Sequence, residues 1–89
     1  MTRQFQKDPD AVLDYQVDWS TWLADDTIQS HTVTAPDGLT LDSHSATSTA
    51  VTMWLSGGDA GVTYPVVCHI VTAAGREDDR TLLITIRER

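Results

Sequence analysis

The sequence predicts an all-β domain, a small sandwich of six to seven antiparallel strands, and three observations carry that prediction. Apolar residues recur at every second position in several separate stretches, the period of a strand with one buried face. Turn signals built on glycine and proline divide these stretches at short, regular spacing. No segment of useful length shows the 3.6-residue period of an amphipathic helix. Short strands punctuated by turns, without helices, pack as a sandwich or a barrel.

Residues 1–10 are polar, close on Pro9 and show no periodicity, so they are expected as an extended N-terminal arm ahead of a single domain over residues 11–89. Leu13, Tyr15, Val17 and Trp19 then alternate with Asp14, Gln16 and Asp18, a half-buried strand. Residues 20–24 break the alternation and suit a helical turn before the acidic corner Asp25-Asp26. A Thr-rich strand over 27–34 has Ile28 and Val33 as its apolar anchors. Their opposite parity demands a bulge if both face one core. Ala35-Pro36-Asp37-Gly38 is a turn, with proline presetting φ and glycine taking a positive φ. Leu39 and Leu41 mark a short strand after it.

Residues 47–55 alternate again, with Thr47, Thr49, Val51, Met53 and Leu55 on one face and Ala50, Thr52 and Trp54 on the other. Ser56-Gly57-Gly58-Asp59-Ala60-Gly61 is a second strong turn. Val62, Tyr64, Val66, Cys68 and Ile70 follow at strict alternation. Pro65 has no N–H to give a ladder, which puts it near the strand's start or on its unpaired side. A last turn over 73–79 leads to a strand that buries Leu82, Ile84 and Ile86. Tyr64 opens its strand just after a turn. Immunoglobulin-like sandwiches often carry a tyrosine there, its hydroxyl tied back to the preceding loop. Tyr64 is therefore read as a structural tyrosine corner, and the sandwich as Ig-like.

Bulk properties narrow the function. The 89 residues suffice for one domain with a thin core. The single cysteine, Cys68, has no partner for an internal disulfide, so neighbouring subunits are expected to help stabilise the fold. No apolar run approaches bilayer-spanning length, and the N-terminus lacks the apolar stretch of a secretory signal; no membrane partner is expected. Thirteen acids against six bases give a net charge of −7, and residues 27–75 hold no Lys or Arg at all. Such a stretch offers no electrostatic footprint for phosphate backbones, so no nucleic acid is expected as a partner.

Candidate chemistry is sparse. His31, His44 and His69 are not spaced as ligands of one metal, and Cys68 and His69, adjacent on a strand, point to opposite faces. The loop acids Asp25, Asp26, Asp37, Asp59, Asp78 and Asp79 match no calcium-loop spacing. No Gly-x-Ser-x-Gly elbow occurs. No catalytic residue, metal, cofactor or small-molecule substrate is expected, and the chain is read as a non-enzyme. The tryptophans say more. Trp19 shares a face with Tyr15 and Val17 and belongs to the core, whereas Trp54 lies opposite Val51, Met53 and Leu55 and Trp22 falls in a break between strands. One thin core does not hold all three, so at least one is expected at a surface where indoles serve as anchors.

The run Trp22-Leu23 with Asp25-Asp26-Thr27-Ile28, then Trp54-Leu55-Ser56-Gly57-Gly58, Gly61 and Tyr64, and finally Thr72 with Gly75-Arg76 and Asp78-Asp79-Arg80 resembles the small fiber–tail adaptor proteins of tailed bacteriophages and prophages. The similarity runs from about residue 8 to the C-terminus. It implies an Ig-like structural virion protein, present in several copies at the tail or its connector, that holds tail fibers or neighbouring tail proteins after a stay in the host cytoplasm. Val33 stands where a larger aromatic is expected, and Pro65 interrupts the key strand. The partner interface is expected at Phe5 in the arm, at Trp22 and Trp54, and at Arg76 and Arg80. The alternative reading is a carbohydrate- or surface-binding Ig-like module, in which Trp22 and Trp54 would make a stacking platform; a small acidic regulator is a third.

Overall fold

The computed structural model describes residues 2–88, with side chains from Gln4 onward. Its strands are β1 (Thr2–Lys7), β2 (Leu13–Asp18), β3 (Ile28–Thr34), β4 (Leu39–Ala46), β5 (Ala50–Gly57), β6 (Thr63–Thr72) and β7 (Glu77–Ile86), with one short helix, α1 (Ser20–Leu23), between β2 and β3. They form a four-stranded sheet in the order β1-β7-β6-β3 and a three-stranded sheet in the order β2-β5-β4. Neighbours run antiparallel except β1, which runs parallel to β7. This is an all-β, Ig-like sandwich.

Period-two alternation builds the core. Tyr15, Val17, Val51, Met53 and Leu55 face inward from the three-stranded sheet, and Val66, Cys68, Ile70, Leu82, Ile84 and Ile86 face them from the other. Each fully buried aliphatic side chain of this kind stabilises the fold by about 1.5–3 kcal/mol. Burial pushes the Cys68 thiol pKa up, so the sulfur behaves as a small apolar group. The register shift between Ile28 and Ser30 is the bulge that parity requires, and it lets Ile28 join Val33 against the core. Pro65 sits near the start of β6, where β3, which pairs only from Val67 onward, makes no demand on its missing N–H.

Three local expectations are corrected. Residues 2–7 are not a loose arm but strand β1, in register with β7 from Thr2↔Thr81 to Lys7↔Ile86. A parallel partner needs no turn beside it, and Phe5 is the segment's one large apolar residue, so no alternation is visible there. Strand β4 runs to Ala46, past the short strand that Leu39 and Leu41 mark. Its second half is exposed on both faces, which removes the period, and its ladder with β5 resumes beyond a register shift between Leu41 and Ser43. Residues 47–49 are a turn rather than the start of β5, held by the Thr47 hydroxyl, which accepts from the Thr49 and Ala50 amides at 3.3 and 3.1 Å.

Candidate interaction surfaces

At one end of the sandwich, α1 and the β6–β7 turn meet in a cluster of tryptophans, arginines and one aspartate. Trp19 is wholly buried and packs edge-to-face on Trp22, with ring centroids 5.4 Å apart. The Arg80 guanidinium lies 4.2 Å over Trp19 and that of Arg76 4.3 Å over Trp22, both within cation–π range. Arg80 donates to the Asp18 carbonyl at 2.8 Å. Arg76 donates through Nε to Asp26 Oδ2 at 3.1 Å, and through its Nη atoms to the carbonyls of Leu23 (3.0 Å) and Trp22 (3.4 Å). Asp26 also accepts from the Thr27 and Ala74 amides at 2.9 and 3.2 Å. The Thr72 hydroxyl above all, with those amides and Arg76, holds the Asp26 carboxyl at a pKa of about 2.

The opposite end of β6 is built on close fit. The buried Tyr64 accepts a hydrogen bond from the Asp59 amide at 3.0 Å, five residues upstream, the geometry of a tyrosine corner. Gly38 (φ +98°) and Gly58 (φ +96°) back directly onto this region: a Cβ at Gly38 would stand 3.0 Å from the Tyr64 ring, and one at Gly58 2.6 Å from Ile86. Lys7 is 1% exposed and donates through Nζ to the carbonyls of Asp8 and Gly57, both at 2.8 Å. It thereby ties β1 of one sheet to the end of β5 in the other. Burial lowers its pKa, against the opposing pull of Asp8, Asp10 and Asp42.

The two open seams between the sheets differ in chemistry. Phe5 meets Tyr15 edge-on at 5.0 Å where β1 lies over β2. Phe5 is thus engaged within its own fold, in contrast to the expected anchor on a free arm. Where β3 lies over β4, His31 Nε2 and His44 Nδ1 are 2.8 Å apart in one hydrogen bond. Burial, then the charge of His44, lowers the His31 pKa. On the outer face of the four-stranded sheet, His69 lies between Asp79 (2.5 Å) and Glu77 (3.0 Å), and those hydrogen bonds raise its pKa. Among the described residues no group of three or more His, Cys, Asp or Glu is disposed to hold a metal ion.

Of the residues expected at an interface, Trp22, Arg76 and Arg80 come together, but largely spent on one another and on carbonyls. Trp54 stands apart, 42% exposed on the outer face of β5, opposite Asp14 of β2 and Ser43 of β4. It shares no platform with Trp22, whose ring is taken by Trp19 and Arg76. Sequence reasoning missed Asp26, Thr72 and Lys7 as organising residues. Asp26 and Thr72 are inside the quoted motifs, yet nothing in the letters pairs residues so far apart. Lys7 gave no signal.

The family described as "Podophage GP4 fiber-tail adaptor protein gp77" matches residues 7–85. The chain belongs to that family. As a fiber-tail adaptor it is a component of the phage tail, and apart from Trp54 the motifs that carry the resemblance lie toward the two ends just described. Among solved structures, the adaptor is similar to the solution structure of the PKD domain from the KIAA 1837 protein, with a TM-score of 0.62 and 19% identity over 99% of this chain and 81% of that one. That likeness shows the Ig-like fold. No curated protein matches the adaptor in sequence.

Proposed function

We propose that the chain is a non-enzymatic joint of the virion tail that attaches fibers or neighbouring tail proteins, several copies acting together, and that it waits in the host cytoplasm before assembly. The observation that carries this reading is the match of the fiber-tail adaptor family over residues 7–85. The geometry supports it. The fold is a rod of 42 × 21 × 19 Å with both ends pinned across its two sheets, by Lys7 at one and by Arg76 and Arg80 at the other. A short rigid rod transmits position between two larger parts without adding slack. Particles made by a phage lacking this gene are expected to carry tails without fibers, counted by negative-stain electron microscopy. Fibers at wild-type number on such particles contradict the reading.

A further inference from the structure

Two of the three tryptophans carry an arginine over the ring. Arg80 covers Trp19, and Arg76 covers Trp22 while its Nε pairs with the carboxylate of Asp26. Among the described residues the third, Trp54, has the indole and the carboxylate but not the cation. Asp14 is its cross-strand partner on the outer face of the three-stranded sheet, and both side chains are exposed. Directly opposed residues on one face hold their Cβ atoms about 4.5–5.5 Å apart, close enough for one guanidinium to stack on the ring and reach the acid. Strands β2, β4 and β5 contain no Lys or Arg, so their own sheet supplies no cation. The same face carries Asp18 beyond Asp14, with Gln16, Ser43, Ser45 and Thr52 around the indole.

We infer that Trp54 and Asp14 form the seat for an arginine presented by a neighbouring fiber or tail protein, completing between chains the Trp–Arg–Asp arrangement that Trp22, Arg76 and Asp26 make within this one. The inference rests on the adaptor reading and names the face of the adaptor that its partner meets. Charge complementarity selects the occupant: a surface of net negative charge, with no base on the sheet concerned, attracts a cationic partner and repels a second copy of itself. Arginine fits better than lysine because its planar fork stacks on an indole and pairs with a carboxylate at once.

The test uses particles assembled without the chain, mixed with rising concentrations of the purified full-length protein and scored for fiber attachment. Wild type is expected to restore fibers. Trp54→Phe, which keeps a π face, is expected to restore them at modestly higher concentration. Trp54→Leu, which keeps an apolar side chain without the π face, and Asp14→Arg are each expected to need at least about tenfold more protein. Raising the salt concentration is expected to weaken wild type more than Asp14→Asn. Cooperative urea unfolding of each variant shows that its fold is intact. Failure of wild type to restore fibers overturns the adaptor reading, and this inference with it. Restoration by wild type with Trp54→Leu and Asp14→Arg equally active overturns the inference alone. So does attachment that free oligosaccharide competes away, which assigns Trp54 to a sugar.

Discussion

The two ends of the sandwich solve the same problem with different physics. Each must join sheets that share no backbone ladder. The Tyr64 end does so by steric fit, with glycines at positive φ letting the backbone close onto Tyr64 and Ile86, and one buried ammonium bridging to Gly57. The Asp26 end does so with charged groups, as Asp26 gathers the Thr72 hydroxyl, two amides and Arg76 while the arginines cover the tryptophans. A fit of the first kind does not depend on acid, whereas a hub of the second kind is lost in strong acid, once its carboxylate takes a proton. Histidines with shifted pKa values lie on the half of β6 toward Asp26, or pair with it, since His69 belongs to β6 and His31 pairs with Ile70.

Substitutions should pull the two ends apart. Gly58→Ala carries the largest expected cost, about 3 kcal/mol, because strain at positive φ adds to a clash with Ile86. Gly61→Ala, with φ +86° but nothing within 4 Å of the added Cβ, should lose only about 1 kcal/mol. Urea midpoints of the two variants measure that gap, and equal losses would show that the close approach at Gly58 is unimportant. Tyr64→Phe leaves the Asp59 amide without its acceptor and should cost about 1–2 kcal/mol, unchanged across mildly acidic pH.

At the other end the signature is pH. Asp26 titrates at about 2 against an ordinary 3.8, so its stabilisation is complete above the ordinary value and is lost as pH falls toward 2. Asp26→Asn should be less stable than wild type at neutral pH, with the difference shrinking through that window in urea titrations. The smallest expected effects come from two histidines of opposite sign. His69, raised by Asp79 and Glu77, stabilises most below its ordinary 6.5 and loses that contribution as pH rises through its elevated value. His31, lowered, stabilises most above 6.5 and less as pH falls below it. His69→Gln should therefore cost more at about pH 5.5 than at about pH 8.5, and His31→Gln the reverse.

The same contrast separates what the sequence made legible from what it hid. Strand β6 could be read directly, because Tyr64, Val66, Cys68 and Ile70 are all buried and their alternation is the physical cause of the strand. Glycine turns were legible for a similarly local reason: positive φ at Gly38 and Gly58 is a property of one residue. Trp54 was assignable to the outer face by parity alone. The Asp26 hub was not, since its arginine lies 50 residues away and only the folded chain brings them together. Strand β1 was hidden because its partner β7 lies at the other end of the chain and its buried members include a lysine. That lysine counts as polar in any pattern, though its stem and ammonium are enclosed.

On the proposed reading the chain is a joint, pinned at both ends, whose acidic three-stranded sheet meets its partner. A cryo-electron microscopy map of the tail with fibers attached, at side-chain resolution, tests this most directly. It should show the chain between fiber and tail, with a neighbour's arginine within about 6 Å of the Trp54 ring and in contact with Asp14. A map in which that sheet faces solvent, while fibers attach elsewhere, would contradict it.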